Sequence, residues 1–341
     1  MIRVGVDAWN LPGDRRGIGR YLREILRVWW ENGRAEVTLI VPEWQTWTAR
    51  ARYRREVEGR PYAVVSRRFH SRRRLDALWF PFNGCSWTNF SLPATATLHD
   101  ASNFVVPEYS PQTQRIFQVA AERCRALITD SLFAQDELAR ELHVERDRIV
   151  AIPLGVVSPR PPAPVALDVA ALAPFVLYVG NAERRKGFDT LLAAMATVSE
   201  KRRDLALVVT TRLNGWHVPA GVRVVELGHV SDALLSALYR GCELLAFPSR
   251  YEGFGLPVLE AMSYGAAVVA SNSSAIPEVG GDAVCYVPPG DDAQLAAAIL
   301  RVAGDGAYAR ELRRRGPGRA ATFTWEATAS RTLAVIEATV G

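Results

Sequence analysis

Pro248-Ser249-Arg250-Tyr251-Glu252-Gly253-Phe254-Gly255-Leu256-Pro257-Val258-Leu259-Glu260-Ala261-Met262 is the stretch that decides how this 341-residue chain is read. An apolar run, Leu244 to Phe247, ends at Pro248-Ser249 and predicts a buried strand that stops there. A loop with two glycines follows, and then a run from Leu256 to Tyr264 that reads as helix. Glycines at 253 and 255 let backbone N–H groups approach a ligand closely, and the start of the following helix favours an anion. The combination predicts a phosphate cradle built from backbone. Its two carboxylates stand eight positions apart, so Glu252 falls on the loop and Glu260 inside the helix, where it could accept hydrogen bonds from a pair of sugar hydroxyls. Polyphosphate, sugar and two carboxylates together point to a nucleotide-sugar site.

Working outward, short β-branched runs alternate with helical patterns along the whole chain. The predicted strands of the first half are Arg3–Val6, Val37–Val41, Ala63–Ser66, Ala77–Phe80, Thr95–Leu98, Ala126–Thr129 and Ile149–Ile152. Those of the second half are Phe175–Val179, Ala206–Thr210, Arg223–Glu226, Leu244–Phe247, Ala267–Ala270 and Val284–Val287. Gly19–Trp30 and Ser131–Leu142 are among the helix-like stretches between them. This alternation predicts an α/β protein with parallel sheets and crossover helices. Pro159, Pro161, Pro162 and Pro164 punctuate the middle and read as a linker between two Rossmann-like domains, residues 1–160 and 171–324. In such sheets the ligand belongs at the carboxyl ends of the strands.

The bulk composition narrows the class. A hydrophobic fraction of 49% and a mean hydropathy near zero describe a globular chain long enough for two cores. No apolar run reaches the length of a membrane span, and the N-terminus reads as a first strand without a signal-peptide pattern. Cys85, Cys124, Cys242 and Cys285 are scattered without metal-ligand spacing, which favours a reduced, cytoplasmic setting. Charge is concentrated: Arg50 to Arg74 holds ten arginines against Glu56 and Glu58, whereas the whole chain carries a formal +5. Seven of nine tryptophans lie at or before Trp87. Two readings stand side by side. A basic, tryptophan-rich half would face an anionic membrane or a lipid-diphosphate acceptor, placing the protein on the inner face of the membrane; or the arginines form a solvated loop and the tryptophans a core. Nucleic acid is not an expected partner, because no binding-module pattern accompanies the charge.

The Glu-x7-Glu spacing enclosing Gly-Phe-Gly-Leu-Pro, with Ala261-Met262-x-x-Gly265 and Ser274-Ala275-Ile276-Pro277-Glu278-Val279 after it, resembles the retaining glycosyltransferases of family 4. A bare Glu-x7-Glu occurs by chance in many helices; the full segment is far more specific. The similarity covers nearly the whole chain. It implies a GT-B architecture with the ligand in a cleft between two Rossmann-like domains, and a final helix, 325–341, that packs back on the first. It also implies a nucleotide-sugar donor as substrate, no further cofactor, and a same-face displacement in which the leaving phosphate takes the acceptor's proton.

Several residues take roles from this resemblance. Arg184-Arg185-Lys186-Gly187 follows a predicted strand, where phosphate oxygens want a fork donor and a point charge, and only two of the 41 basic residues are lysines. The family's Arg-Lys pair neutralises the leaving diphosphate, a role carried to Arg185 and Lys186. Gly17 and Gly19, in Gly17-Ile18-Gly19-Arg20-Tyr21, match the family's glycine loop at the donor diphosphate. His99-Asp100 closes a predicted strand; the matching histidine lies beside the transferred sugar, and sugar positioning is favoured over general-base work. Glu252 would meet the sugar hydroxyls, Phe254, Gly255 and Leu256 would offer backbone N–H groups to the phosphates, and Glu260 would hold the ribose. Val230, in Gly228-His229-Val230, matches the nucleobase position.

Asn181 and Thr210-Thr211 depart from the usual family residues, which bears on donor specificity and not on reaction class. The chain has no Asp-x-Asp, so no catalytic metal is expected. His99-Asp100 with Pro107-Glu108-Tyr109, and the Arg-Lys-Gly loop, resemble bacterial polysaccharide mannosyltransferases, which favours GDP-mannose as donor and a glycan or polyprenyl-diphosphate-linked acceptor. A UDP-hexose donor, a GT-B sugar-nucleotide epimerase and a nucleotide-sugar-binding scaffold subunit are the alternatives.

Overall fold

The computed structural model describes residues 1–11, 17–45, 60, 62–106, 111–157, 159 and 163–341. Positions 50–59 and 61 of the basic segment, Pro107-Glu108-Tyr109, and Pro161 and Pro162 lie outside the described residues. In chain order the first elements are β1 (Ile2–Asp7), α1 (Gly17–Asn32), β2 (Ala35–Val41), β3 (Ala63–Ser66), β4 (Ala77–Phe80), β5 (Ala94–Thr97), α2 (Ser102–Val105), α3 (Pro111–Arg123), β6 (Ala126–Thr129), α4 (Leu132–Leu142) and β7 (Ile149–Ala151). There follow β8 (Phe175–Tyr178), α5 (Phe188–Lys201), β9 (Ala206–Val209), β10 (Val224–Glu226), α6 (Asp232–Gly241), β11 (Leu244–Phe247), α7 (Leu256–Ser263), β12 (Val268–Ser271), α8 (Ile276–Gly280) and β13 (Cys285–Val287). Three helices close the chain: α9 (Asp292–Gly304), α10 (Gly306–Ala320) and α11 (Trp325–Ala338). Every predicted strand forms, with ends shifted by at most two residues.

The chain divides into two compact units, Met1–Gly155 with Thr324–Gly341, and Val156–Phe323. The first holds a seven-stranded sheet in the order β3-β2-β1-β4-β5-β6-β7; the second holds a six-stranded sheet in the order β10-β9-β8-β11-β12-β13. All the pairings are parallel. Helices cover such strands on both faces, so β4, β8, β9 and β11 read as continuous apolar runs rather than alternations; β5, Ala-Thr-Ala-Thr, and β12 are buried at every position as they are. In each sheet the strand order reverses once, between β1 and β4 in the first unit and between β8 and β11 in the second. That switch point opens a crevice beyond the carboxyl ends of the two strands.

In the first unit α1 buries Tyr21, Leu22, Ile25, Leu26, Val28 and Trp29, a stripe at helical spacing. The last helix, α11, returns to cover it. The Trp29 indole Nε1 donates to the Ala329 carbonyl at 2.8 Å, and the Thr328 hydroxyl donates to the Pro153 carbonyl at 2.8 Å. In the second unit Phe188, Leu191, Leu192, Met195 and Val198 of α5 and Leu295, Ile299 and Val302 of α9 pack with apolar residues of the sheet into one core. Among the described residues no helix is long and apolar enough to cross a membrane.

Candidate functional site

In the second unit, the loops that leave β8 and β11, the two strands of its switch point, are bonded to each other. Gly187 ends the first loop at φ +68°, and a Cβ placed there would lie 2.0 Å from the Pro248 carbonyl oxygen. Only a glycine permits so close an approach with that backbone. The Arg250 N–H donates to the Arg185 carbonyl at 2.9 Å. The Arg250 guanidinium also forks onto Asp189 at 2.9 and 3.0 Å, reaches the Thr190 hydroxyl at 3.0 Å, and donates to the Arg184 carbonyl. Burial pushes the Asp189 carboxyl up, but the bonds from Arg250 and from the Thr190 backbone outweigh it and hold the group below the usual carboxylate range.

Inside this frame Lys186 Nζ donates to both oxygens of Glu252, each at 2.7 Å. Glu252 is 7% exposed, and its backbone N–H donates to the Ser274 hydroxyl at 3.0 Å. An ammonium has three N–H bonds, so the pair still leaves Lys186 a donor for an anion. Arg185 lies on the same loop; its guanidinium donates to the Tyr251 carbonyl at 3.1 Å and to Glu183 at 3.4 Å. The structure therefore brings Arg185, Lys186 and Glu252 together.

The longer helices of the second unit start in two ways, and two helices of the first unit share one of them. Ser131, Ser231, Asp291, Asp305 and Thr324 cap α4, α6, α9, α10 and α11, each accepting from a first-turn N–H. α5 and α7 instead begin after Gly187 and Gly255, both in the left-handed region and without a side-chain cap. The backbone at Phe254, Gly255 and Leu256 thus meets no capping oxygen, and the start of α7 keeps its partial positive charge for an incoming anion. The Phe254 ring is buried edge-on against Phe323, with centroids 5.9 Å apart, and anchors the loop.

Glu260 lies half-buried on α7 and accepts a hydrogen bond from the Tyr239 hydroxyl at 3.0 Å. Val230 is half-buried in the loop after β10, near Gly228, whose φ of +65° strains any side chain placed there.

In the first unit, Gly17 and Gly19 both fall in the first turn of α1, Gly17 exposed and Gly19 buried. His99 sits just beyond β5 and is nearly buried. Its Nδ1 meets Asp130 at 2.8 Å and its Nε2 meets the Pro81 carbonyl at 3.0 Å. Burial disfavours the charged ring, yet the Asp130 carboxylate and the Pro81 carbonyl outweigh it, so His99 is raised above the ordinary imidazole value. Both ring nitrogens face oxygens of the protein, so neither stands free to take a proton from an acceptor hydroxyl.

The basic, tryptophan-rich half divides between its two readings. Arg67 is consumed at the carboxyl end of β1, pairing at 3.2 Å with the buried Asp7, which the Ser86 hydroxyl also contacts. Trp29 and Trp79 are core residues. Arg68, Phe69, Arg72, Arg73 and Arg74 are exposed, Arg72 lies over the Phe69 ring at 4.4 Å, and Trp44 is 75% exposed.

Asp130, Tyr239, Arg250 and Ser274 are the contacts that sequence reasoning did not single out. Each supports a residue that it did, from a distant position. Asp130 carried the one local signal, an acid at a strand end just ahead of the Ser131 cap, as His99 stands at the end of the neighbouring strand. Among the described residues no group of three or more His, Cys, Asp or Glu side chains is gathered to hold a metal ion.

The family profile described as "Glycosyl transferases group 1" matches residues 173–305. The chain is 34% identical over 272 residues to the O-antigen chain mannosyltransferase B of Escherichia coli, spanning 72% of this chain and 71% of that protein. It is 33% identical over 236 residues to the MMP alpha-(1->4)-mannosyltransferase of Mycolicibacterium hassiacum, spanning 64% of this chain and 55% of that protein. Among solved structures, sucrose-phosphate synthase from Thermosynechococcus elongatus superposes with a TM-score of 0.72 at 20% identity, over 98% of both chains. WaaG, a glycosyltransferase involved in lipopolysaccharide biosynthesis, does so with a TM-score of 0.69 at 16% identity, over 98% of this chain and 99% of that one. At these identities the superpositions establish a shared fold, the two-sheet GT-B architecture.

Proposed function

We propose that this chain, which belongs to the family of group 1 glycosyltransferases, moves a mannosyl group from GDP-mannose to a hydroxyl of a glycan or polyprenyl-diphosphate-linked acceptor, with retention and without a metal ion. The observation that carries the reading is the Lys186–Glu252 pair, at 2.7 Å, beside Arg185 and the uncapped start of α7. Cations and free N–H groups stand where a diphosphate leaves, and a carboxylate stands where sugar hydroxyls are held. Mannose is supported by the names of two relatives, at 34% and 33% identity.

In this mechanism the bond from the sugar C1 to the phosphate oxygen breaks as the bond from C1 to the acceptor oxygen forms on the same face. The acceptor's proton passes to the departing phosphate, whose charge is met by Arg185, Lys186 and the N–H groups of Phe254, Gly255 and Leu256. Glu252 orients the sugar through its hydroxyls, Glu260 takes the ribose, and Val230 lies at the base. Gly17 and Gly19 keep the diphosphate role that the sequence resemblance gives them; His99 keeps the sugar-positioning role as a fixed ring against the sugar, since both its nitrogens are bonded to Asp130 and Pro81. The reaction belongs in the cytoplasm, with Arg68, Phe69, Arg72–Arg74 and the rest of the 50–74 segment as a contact to the inner face of the membrane. Neutralising these arginines then abolishes sedimentation with anionic liposomes.

The test is nucleoside diphosphate release from a panel of GDP- and UDP-sugars, with and without EDTA, for the wild type and Glu252→Ala. Slow hydrolysis of GDP-mannose alone, unaffected by EDTA and lost in the variant, is expected. Release from a UDP-hexose instead overturns the donor, and unaltered turnover in Glu252→Ala overturns the site. An axial or equatorial anomeric proton in the acceptor product, read by NMR, decides retention.

A further inference from the structure

Two helices of the second unit face each other through a matched pair of hydrogen bonds. On α6, Ser236 and Tyr239 are three positions apart and share one face; on α7 and its end, Glu260 and Tyr264 are four apart and share another. The Tyr239 hydroxyl donates to Glu260 at 3.0 Å, and the Ser236 and Tyr264 hydroxyls are hydrogen-bonded at 2.8 Å, with Ser236 also donating to the Asp232 carbonyl at 2.7 Å. The two tyrosine rings are stacked, 5.8 Å between centroids at 13°, and the Arg240 guanidinium lies over the Tyr264 ring at 4.6 Å. Tyr239 is 1% exposed, so its ring has no freedom to swing and its hydroxyl has a fixed direction.

A glutamate on a helix surface ordinarily samples several rotamers, and ordering it on binding costs free energy. Glu260 is instead held from behind by a neutral donor on a rigid, braced ring. A carboxylate has about four acceptor positions, and the tyrosine takes one of them. We infer that Tyr239 is a positioning residue for nucleotide binding: it fixes the Glu260 carboxylate in the orientation that receives the paired 2′ and 3′ hydroxyls of the donor's ribose. The inference rests on the reading that Glu260 holds the ribose, and assigns to Tyr239, Tyr264 and Ser236 the pre-organisation of that contact. A tyrosine suits this role because its bond to the carboxylate is charge-assisted and adds no competing positive charge.

A purely structural role predicts a loss that is blind to the ribose. The experiment therefore measures Kd for GDP and UDP, and for the 2′,3′-dideoxyribose form of whichever binds tighter, in the wild type, Tyr239→Phe and Glu260→Gln. Tyr239→Phe is expected to weaken the ribonucleotide about tenfold, with no weakening of the dideoxy form. The Tyr239→Phe/Glu260→Gln pair is then expected to lose no more than Glu260→Gln alone, as two groups acting through one contact do. Equal weakening of both nucleotides, or none, overturns the role of Tyr239. A wild type that binds ribo and dideoxy forms equally overturns the ribose assignment of Glu260 itself, whatever Tyr239 does. If Tyr239→Phe does not fold, Tyr264→Leu removes the bracing ring and leaves both partners in place. It is expected to cost several-fold in ribonucleotide affinity only, and a ribose-blind loss there overturns the inference equally.

Discussion

Lys186 and Glu252 stand 66 positions apart in the chain and meet only through the bonded loops after β8 and β11. Removing the ammonium leaves a nearly buried carboxylate without its cation, which costs about 1–3 kcal/mol. Lys186→Ala is therefore expected to lower the denaturation midpoint as well as activity, with transfer reduced about a hundredfold or more; a variant of unchanged stability would show the pair to be slack. His99 contributes to stability in a way that depends on pH. Its folded value is raised, so the stability it contributes is fully present below the ordinary imidazole pKa and is lost as pH rises through the folded value. Thermal melts from pH 5 to 9 are expected to show the wild type losing its advantage over His99→Gln toward the alkaline end. A constant difference across the range would mean that the ring carries no extra proton. Both residues were visible in the sequence as members of motifs. Their partners, Glu252 for the lysine and Asp130 for the histidine, were not assigned, because periodicity reports which face a residue is on and not what stands opposite.

The helices divide by how they begin. Capped starts at Ser131, Ser231, Asp291, Asp305 and Thr324 stabilise the helix by satisfying its own N–H groups, whereas Gly187 and Gly255 leave that work undone. For Gly187 the conformation and the contact act together: a side chain is strained at φ +68° and collides with the Pro248 carbonyl. Gly187→Ala is expected to cost more than about 2 kcal/mol in urea unfolding and to weaken nucleotide binding, since the loops it joins carry Arg185, Lys186 and Glu252. If the variant were as stable as the wild type, the close packing of the two loops would be wrong. Most strands were legible at this scale because burial on both faces favours an apolar run, as in Leu244–Phe247. Their ends were less so: the run Phe175–Val179 pairs only as far as Tyr178, because pairing, not hydrophobicity, sets where a strand stops.

For the whole molecule the telling element is α11. The chain leaves the first unit at Gly155, completes the second, and returns at Thr324 to finish the first. Trp29, buried to 1% exposure, bonds to the Ala329 carbonyl and lies under this returning helix. A chain ended before Thr324 is expected to expose Trp29 and its apolar neighbours, seen as a red-shifted tryptophan emission and rapid proteolysis of the first unit. A protease-resistant first unit would show α11 to be dispensable. Element order, the parallel sheets and the motif residues were legible along the chain, because apolar runs, glycine turns and spacing are local physical requirements. The sequence also carried the family resemblance, since a long specific segment is read without coordinates. That Lys186 grips Glu252, that Tyr239 backs Glu260, and that both nitrogens of His99 are occupied came from the folded chain alone. Those facts depend on which distant loops and helices come within 3 Å, and the packing of the complete chain sets that.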